Sequence, residues 1–494
     1  MTTNLPGASG LVLEENLVFE QGSPDRVGYS LPKSDVPDID PKAALGAENV
    51  REQIAFFPEL AENEVMRHFV RLSQWNYGVD SGFYPLGSCT MKYNPKINED
   101  MSRLAGFLNS HPAWPAEMAQ GNLELMHRLE AMLAEIAGMD ATTLQPAAGA
   151  HGELTGLMLI RAYHIGQGRK RSKILVPDSA HGTNPASSAL CGFDVVEVKS
   201  GPNGHLVPEA VAEAMTEDVA ALMITNPNTL GIFEKHVGEI AAIVHAKGGL
   251  MYNDGANMNA LVGVARPGDM GFDVIQYNLH KTFSTPHGGG GPGAGPVAVK
   301  KILEPFLPVP RIVRKGDEYS LDWNRPQTIG KVKGHMANFG VLVRAYTYIR
   351  EIGQEHMRRI AELAVLNANY IRAMLKDRYK LAYCTPSMHE VVFTDKNQKD
   401  RGVTTMDIAK RLLDLGFHAP TVYFPLIVHA AMMIEPTESE SKQSCDQFIA
   451  AMAQIDEETK TDAEAFHGYP RRTFRRRLDD VQAARKPVLR WRPE

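Results

Sequence analysis

The stretch LMYNDGANMNALVGVARPGDMGFDVIQYNLHKTFS, residues 250–284, holds two apolar runs, each followed by a chemically able side chain. LMYNDGA (250–256) reads as a strand closing on Asp254. DVIQYN (273–278) reads as the next strand, after which the chain reaches His280 and Lys281. Neither run alternates cleanly between apolar and polar residues, as a half-exposed strand would. Both therefore read as strands covered on two faces, the pattern of a parallel sheet. Ligands of such sheets sit at the carboxyl ends of the strands, where this stretch puts an acid and, 27 residues later, a lysine.

The same rhythm continues outward. KILVPD (173–178), VVEVKS (195–200) and VAALMITNP (219–227) read as strands, and EIAAIVHAKG (239–248) as a helix stopped by Gly248 and Gly249. Upstream, residues 62–77 and 115–137 have helical apolar spacing. In the second, Leu123, Met126, Leu129, Met132 and Leu133 form one stripe. Alternating strands and helices predict an α/β domain with a mostly parallel sheet. Past Gly330 the pattern changes to long helices (338–353, 357–377), a strand HEVVFTD (389–395) and helices over 403–416 and 441–456. This predicts a smaller α+β domain. The expected division is an arm over 1–60, a large domain over 61–335, a small domain over 336–460 and a tail over 461–494.

Composition sets the class. The 494 residues are 44% hydrophobic and 22% charged, with a formal net charge of -6, as in ordinary globular proteins and unlike a nucleic-acid binder. The tail from 471 onward is basic, but acids and apolar residues interrupt it, so it reads as a packing or solvated segment. Cys89, Cys191, Cys384 and Cys445 are far apart with no metal-ligand spacing. That predicts reduced thiols, a cytoplasmic setting and no bound metal. No apolar run is long enough to span a membrane, and the N-terminus lacks the basic and apolar regions of a targeting peptide.

The candidate site follows from chemistry. AAGAHGE (147–153) opens a helix whose first N–H groups are free for an anion. His181 follows a strand and short loop, and Asn226 ends a strand. A lysine forms a Schiff base with an aldehyde. An acid at a strand end holds a pyridine nitrogen protonated, and an imidazole stacks on a flat ring. Each piece alone has a bland reading as a cap, a turn or a packed residue. Their order along the chain points to one ligand with an aldehyde, a pyridine ring and a phosphate: pyridoxal 5'-phosphate.

The motifs FYPLGSCTMKYNPK (83–96), LQPAAGAHGELTGL (144–157), PDSAHGTNPASSAL (177–190), ITNPNTLGIFE (224–234), YNDGANMNA (252–260), NLHKTFSTPHGGGGPGAGP (278–296) and MMIEPTESES (432–441) span nearly the whole chain. With them the chain resembles the glycine cleavage system P-protein family, within the fold-type I pyridoxal-phosphate enzymes. It looks like the lysine-bearing half of that family's longer form, the half that stands alone as subunit 2 (beta) where the two halves are split. The resemblance implies a covalent link from the cofactor to Lys281, with Asp254 at the pyridine nitrogen and His181 on the ring. It offers Asn226 and Asn257 for the ring oxygen, and Gly149, Ala150 and His151 for the phosphate, with Thr282 and Ser284 in support. His280 reads as an acid–base group or as a packed histidine. Ser88, Cys89 and Thr90 fall in a motif expected near the substrate, although Cys89 reads equally as a small buried apolar residue.

The implied reaction is decarboxylation of glycine, with transfer of the aminomethyl group to the lipoyl arm of the H-protein. The implied partner is a subunit 1 (alpha) in an α2β2 heterotetramer, linked in function to T-protein and L-protein. The EPTESE region lacks the carboxylate-binding arginine of aminotransferases, which leaves the glycine carboxylate contact open. The alternatives are another fold-type I enzyme, such as an amino acid decarboxylase or a cysteine desulfurase. The desulfurase would need a reactive cysteine late in the chain, where Cys384 is the only loose candidate. A non-catalytic scaffold would lack Lys281 or Asp254, and both are present.

Overall fold

The computed structural model describes residues 15–288 and 293–492. The start of the expected arm (1–14), the centre of the glycine run (289–292) and the last two tail residues lie outside the described residues. Strands β1 (Ala141–Thr143), β2 (Lys173–Pro177), β3 (Asp194–Val198), β4 (Val219–Thr225), β5 (Leu250–Gly255), β6 (Val274–Tyr277) and β7 (Val297–Val299) form one sheet in the order β1-β7-β6-β5-β4-β2-β3. Strands β2 to β6 run parallel. The three-residue β7 is antiparallel to both its neighbours. Every residue of β4 is buried, which is why VAALMIT is apolar up to its last residue, Thr225: helices cover the sheet on both faces. The register pairs Thr225 with Asp254 and Asp254 with Gln276, so three strand ends lie side by side.

The helix Gly149–Gly166 packs on β5 and β6 through small residues. A methyl group at Gly152 would stand 2.6 Å from the Gly295 carbonyl oxygen, and one at Gly156 would meet the ring of Tyr252, 2.8 Å from its hydroxyl. Tyr252 is fully buried and donates to the Gly152 carbonyl at 3.2 Å, so the ring has no room to yield. Gly156→Ala is expected to cost about 1–3 kcal/mol through overpacking, read as a lower urea midpoint with an unchanged slope.

A hairpin of β8 (Arg311–Lys315) and β9 (Glu318–Asp322) follows. The helical pair Phe339–Leu375 is broken at Gly353, whose φ of 67° and ψ of 170° are not helical. Residues up to Ala361 pack into the core of the large sheet, whereas Ile371 and Leu375 pack into a second core. That second core lies under an antiparallel sheet of β10 (Lys380–Leu381), β11 (Val391–Thr394), β12 (Thr421–Val422) and β13 (Ala431–Ile434), in the order β10-β11-β13-β12. The helices Thr405–Asp414 and Lys442–Thr461 cover it.

Residues 15–60 hold only short helical turns and leave Tyr29, Leu31, Val36, Ile39 and Phe57 exposed. The tail meets this arm where Trp491 stacks on Phe19, ring centres 5.4 Å apart, and exposes Val488 and Leu489. Among the described residues, no helix is long and apolar enough to cross a membrane.

Candidate active site

One cavity opens at the carboxyl ends of β4, β5 and β6, facing the start of the helix Gly149–Gly166. Asp254 forms its floor. Its carboxylate is 2% exposed and is fixed by three donors. The Ala256 N–H (3.0 Å) and Gln276 Nε2 reach Oδ1, and Asn184 Nδ2 reaches Oδ2 at 2.9 Å. Lys281 enters from the loop after β6, and its Nζ donates to the Ser88 carbonyl at 2.7 Å.

His280 lies in the cavity wall beside Lys281. Burial, and then the Lys281 charge, lower its pKa to about 4, so the imidazole is neutral near pH 7. Its Nδ1 is buried with no hydrogen-bond partner. His181 borders the cavity and meets Phe424 edge-on, ring centres 5.4 Å apart.

Gly149 and Ala150 line the opposite wall. The first N–H groups of a helix lack partners within it and draw an anion. A methyl group at Gly149 would come within 2.6 Å of Asn278 Nδ2, so only glycine lets the helix start close on that side chain. Thr225 Oγ1 and Asn278 Oδ1, both from residues of the wall, are buried without a partner. Buried polar atoms are nearly always satisfied, so these two await a polar ligand. A phosphate at the helix start, a pyridine nitrogen at Asp254 and an aldehyde carbon at Lys281 suit this donor set.

Other expected residues stand behind the wall. Asn226 Oδ1 accepts from the Glu234 N–H at 3.0 Å, and Asn257 Nδ2 donates to the Pro227 carbonyl at 2.9 Å. His151 Nδ1 accepts from the Ala147 N–H at 3.1 Å. The Thr282 hydroxyl is buried without a partner, and the Ser284 hydroxyl donates to the Tyr93 carbonyl at 2.5 Å. Ser88 reaches the cavity. Thr90 bonds instead to Glu435, and burial pushes the Cys89 thiol up.

The cavity also contains residues that sequence reasoning did not single out: Glu153, Thr183, Thr225, Thr229, Ala256 and Asn278. Glu153 sits one helical turn after Gly149, a spacing that puts both on one face. It accepts from Thr183 Oγ1 at 2.8 Å, Asn184 Nδ2 at 3.1 Å and Ser187 Oγ at 3.3 Å. The Asn184 amide thus bridges two buried carboxyl groups.

Burial, and then the charge of Asp254, raise Glu153 from 4.5 to about 7. The folded chain holds this proton more tightly than the unfolded chain. Its contribution to stability is therefore complete below about pH 4.5 and is lost as pH rises through about 7. Glu153→Gln removes the titration and leaves a pH-independent offset. Between about pH 5 and about pH 8, urea unfolding is expected to shift in the variant's favour by roughly 1–3 kcal/mol.

Family models match two parts of the chain: Glycine cleavage system P-protein over residues 35–320, and Glycine dehydrogenase, C-terminal domain, over 360–469. A protein of Alkaliphilus oremlandii, named probable glycine dehydrogenase (decarboxylating) subunit 2, is 56% identical over 479 residues, covering 97% of this chain and 98% of that protein. A protein of the same name from Listeria innocua is 56% identical over 485 residues, covering 98% and 99%. Among solved structures, a glycine decarboxylase (P-protein) of the glycine cleavage system, in inhibitor-bound form, has a TM-score of 0.71 at 21% identity. It covers 84% of this chain and 94% of its own. An aspartate aminotransferase from Thermus thermophilus has a TM-score of 0.58 at 15% identity, covering 76% and 99%. Both structural likenesses bear on the fold alone.

Proposed function

This chain belongs to the glycine cleavage system P-protein family, and from that membership we infer that it decarboxylates glycine with pyridoxal phosphate. It passes the remaining aminomethyl group to the lipoyl arm of the H-protein. The observation that carries this reading is the meeting of Lys281, Asp254 and the Gly149 helix start around one cavity.

Lys281 would hold the cofactor's aldehyde carbon, Asp254 its pyridine nitrogen and the Gly149–Ala150 backbone its phosphate, with His181 beside the ring. When bound, pyridoxal phosphate accepts the electron pair left on the glycine α-carbon as CO2 departs. The three donors on Asp254 keep its carboxylate aimed at one place, so little reorganisation is needed when charge develops. His280, neutral near pH 7, stands beside Lys281 as the candidate acid–base group. The Lys281 amine is itself a proton carrier within the cavity. Glycine has no side chain to recognise, so selection against larger amino acids rests on exclusion, a weaker filter than a dedicated contact.

The partner is a subunit 1 chain, as the word "subunit" in the relatives' names supports, and the assembly is an α2β2 heterotetramer. The exposed apolar side chains of the arm and tail support such a covering chain, since surfaces of this kind usually mark an interface. T-protein and L-protein act downstream on the loaded lipoyl arm. The four free cysteines suit the cytoplasm. The test of the cofactor assignment is borohydride reduction of the loaded protein followed by peptide mass analysis. The pyridoxyl mass falls on the Lys281 peptide if the assignment holds, and on another lysine if it does not.

A further inference from the structure

Behind the cavity, a second set of ionisable groups is sealed in protein. His389, Glu390 and Glu435 are each 0% exposed, and they come from the start of β11 and the end of β13. Both carboxyls grip the chain at residues 88–90. Glu390 Oε2 accepts the Ser88 N–H at 2.8 Å. Glu435 accepts the Thr90 N–H at 2.9 Å and the Thr90 hydroxyl at 2.6 Å. The segment just before is stitched to β13 through the Gly87 N–H on the Met433 carbonyl (3.2 Å) and a bridge from Leu86 to Ile434.

The gripped segment is strained. Ser88 has φ 63° and Thr90 φ 48°, left-handed values that cost a non-glycine residue energy, most of all a β-branched one. Such strain persists only where the surroundings enforce it. It turns the Ser88 carbonyl toward the site, where it receives the Lys281 ammonium at 2.7 Å.

We propose that the Ser88 carbonyl is the resting place of Lys281 whenever that lysine is not attached to the cofactor, and that Glu390 and Glu435 are positioning residues that hold it there. The proposal rests on the assignment of Lys281 to the cofactor. A substrate amine that takes the lysine's place releases it, and the freed, half-buried amine is stabilised by an acceptor already held in position. The carboxyls do not touch the lysine. They act through the backbone of residues 88–90, which carries the small domain's geometry into the site.

The electrostatics agree with this arrangement. Burial pushes Glu390 well up, with the Glu435 charge adding to it, and pushes Glu435 up to about 7. Burial, and then the Lys281 charge, lower His389 to about 3, so it is neutral. Its Nε2 stands 3.9 Å from Glu390 and 3.8 Å from Glu435, with both ring nitrogens unpartnered. Two buried carboxylates cannot both stay charged cheaply. The cluster therefore keeps a proton, and Lys281 is the cation that the remaining charge faces.

The sign of the effect separates this role from ordinary support. Loosening the grip destabilises only the detached lysine. Glycine should then displace it less readily, while the cofactor stays attached at least as well. The experiment is a glycine titration of the cofactor's absorption band in the assembled protein without H-protein, so that no turnover intervenes. Glu390→Met, which loses one bond to the segment, and Glu435→Met, which loses two, are expected to raise the half-displacing glycine concentration about threefold and about tenfold. Glu435→Gln restores an acceptor oxygen and should fall between Glu435→Met and wild type. If the methionine variants do not fold, Thr90→Val, which deletes one donor to Glu435, is expected to shift the same way by about threefold.

An unchanged glycine titration overturns the proposal. So does a joint loss of cofactor retention and glycine response, which marks a merely structural role. If borohydride finds no cofactor on Lys281 in the wild type, the underlying assignment fails and this proposal falls with it. Attachment to Lys281 with normal variants overturns this proposal alone.

Discussion

Lys281→Ala is expected to lower glycine decarboxylation by about a thousandfold or more, the scale of losing both a covalent anchor and a proton carrier. The loss should appear in turnover rather than in folding. Lys281 stands on the loop after β6 and not in the core, and the sheet beneath it is built from Val274, Ile275 and Tyr277, all fully buried. Unfolding midpoints of variant and wild type should therefore lie close together. Cofactor bound to the variant should wash out on dialysis, because the phosphate and pyridine contacts remain but the covalent link is gone. Lys281→Arg keeps the charge and lacks a nucleophilic amine, so it should be as inactive as the alanine variant. An arginine variant with substantial activity would mean that the lysine serves only as a cation.

The second large effect is expected at Asp254. Asp254→Asn preserves the shape and removes the charge, and turnover should drop about a hundredfold to a thousandfold, roughly 3–4 kcal/mol of lost transition-state stabilisation. The local bonds add to the damage. All three partners of the carboxylate are N–H donors, and an asparagine amide would turn its own N–H groups against at least one of them. Asp254→Glu keeps the charge but pushes it into a floor that register has aligned with Thr225 and Gln276; it should recover less than a tenth of the wild-type rate, about the price of a misplaced group. Steady-state rates of CO2 release, set beside the cofactor's absorption band, separate loss of chemistry from loss of cofactor.

The sheet was legible because its central strands are long, apolar and unbroken. VAALMIT needs no partner to be read as a buried strand, and the acid and lysine after the next two strands follow from where parallel sheets place their ends. The three-residue strands β1 and β7 and the two-residue strands β10 and β12 were not legible, since so few residues carry no period. The break at Gly353 was legible as a gap between two helical patterns. The division of that helical pair between two cores was not, because nothing local in the sequence says which core a helix face will meet.

The site divides in the same way. Residues at strand ends and at the helix start could be found one at a time, because each follows an element that the pattern defines. Glu153 lay inside the quoted AAGAHGE segment and could have been found from its one-turn spacing to Gly149. Asn278 was visible too, as the residue that closes the β6 stretch. Glu390 and Glu435 could not have been found this way. They reach the 88–90 segment across 302 and 345 residues of chain, and within their own strands they read as ordinary polar ends. Only the folded chain brings these carboxyls to the segment whose Ser88 carbonyl receives Lys281.

The measurement that bears most directly on the glycine reading is exchange of labelled bicarbonate into the carboxyl group of glycine. It uses this chain together with a candidate subunit 1 and lipoylated H-protein, and repeats the assay with Lys281→Ala. Exchange is expected to require all three proteins and to disappear in the variant. Absence of exchange, with pyridoxal phosphate demonstrably attached through Lys281, would contradict the assignment of glycine and leave a pyridoxal-phosphate site in search of another amino acid.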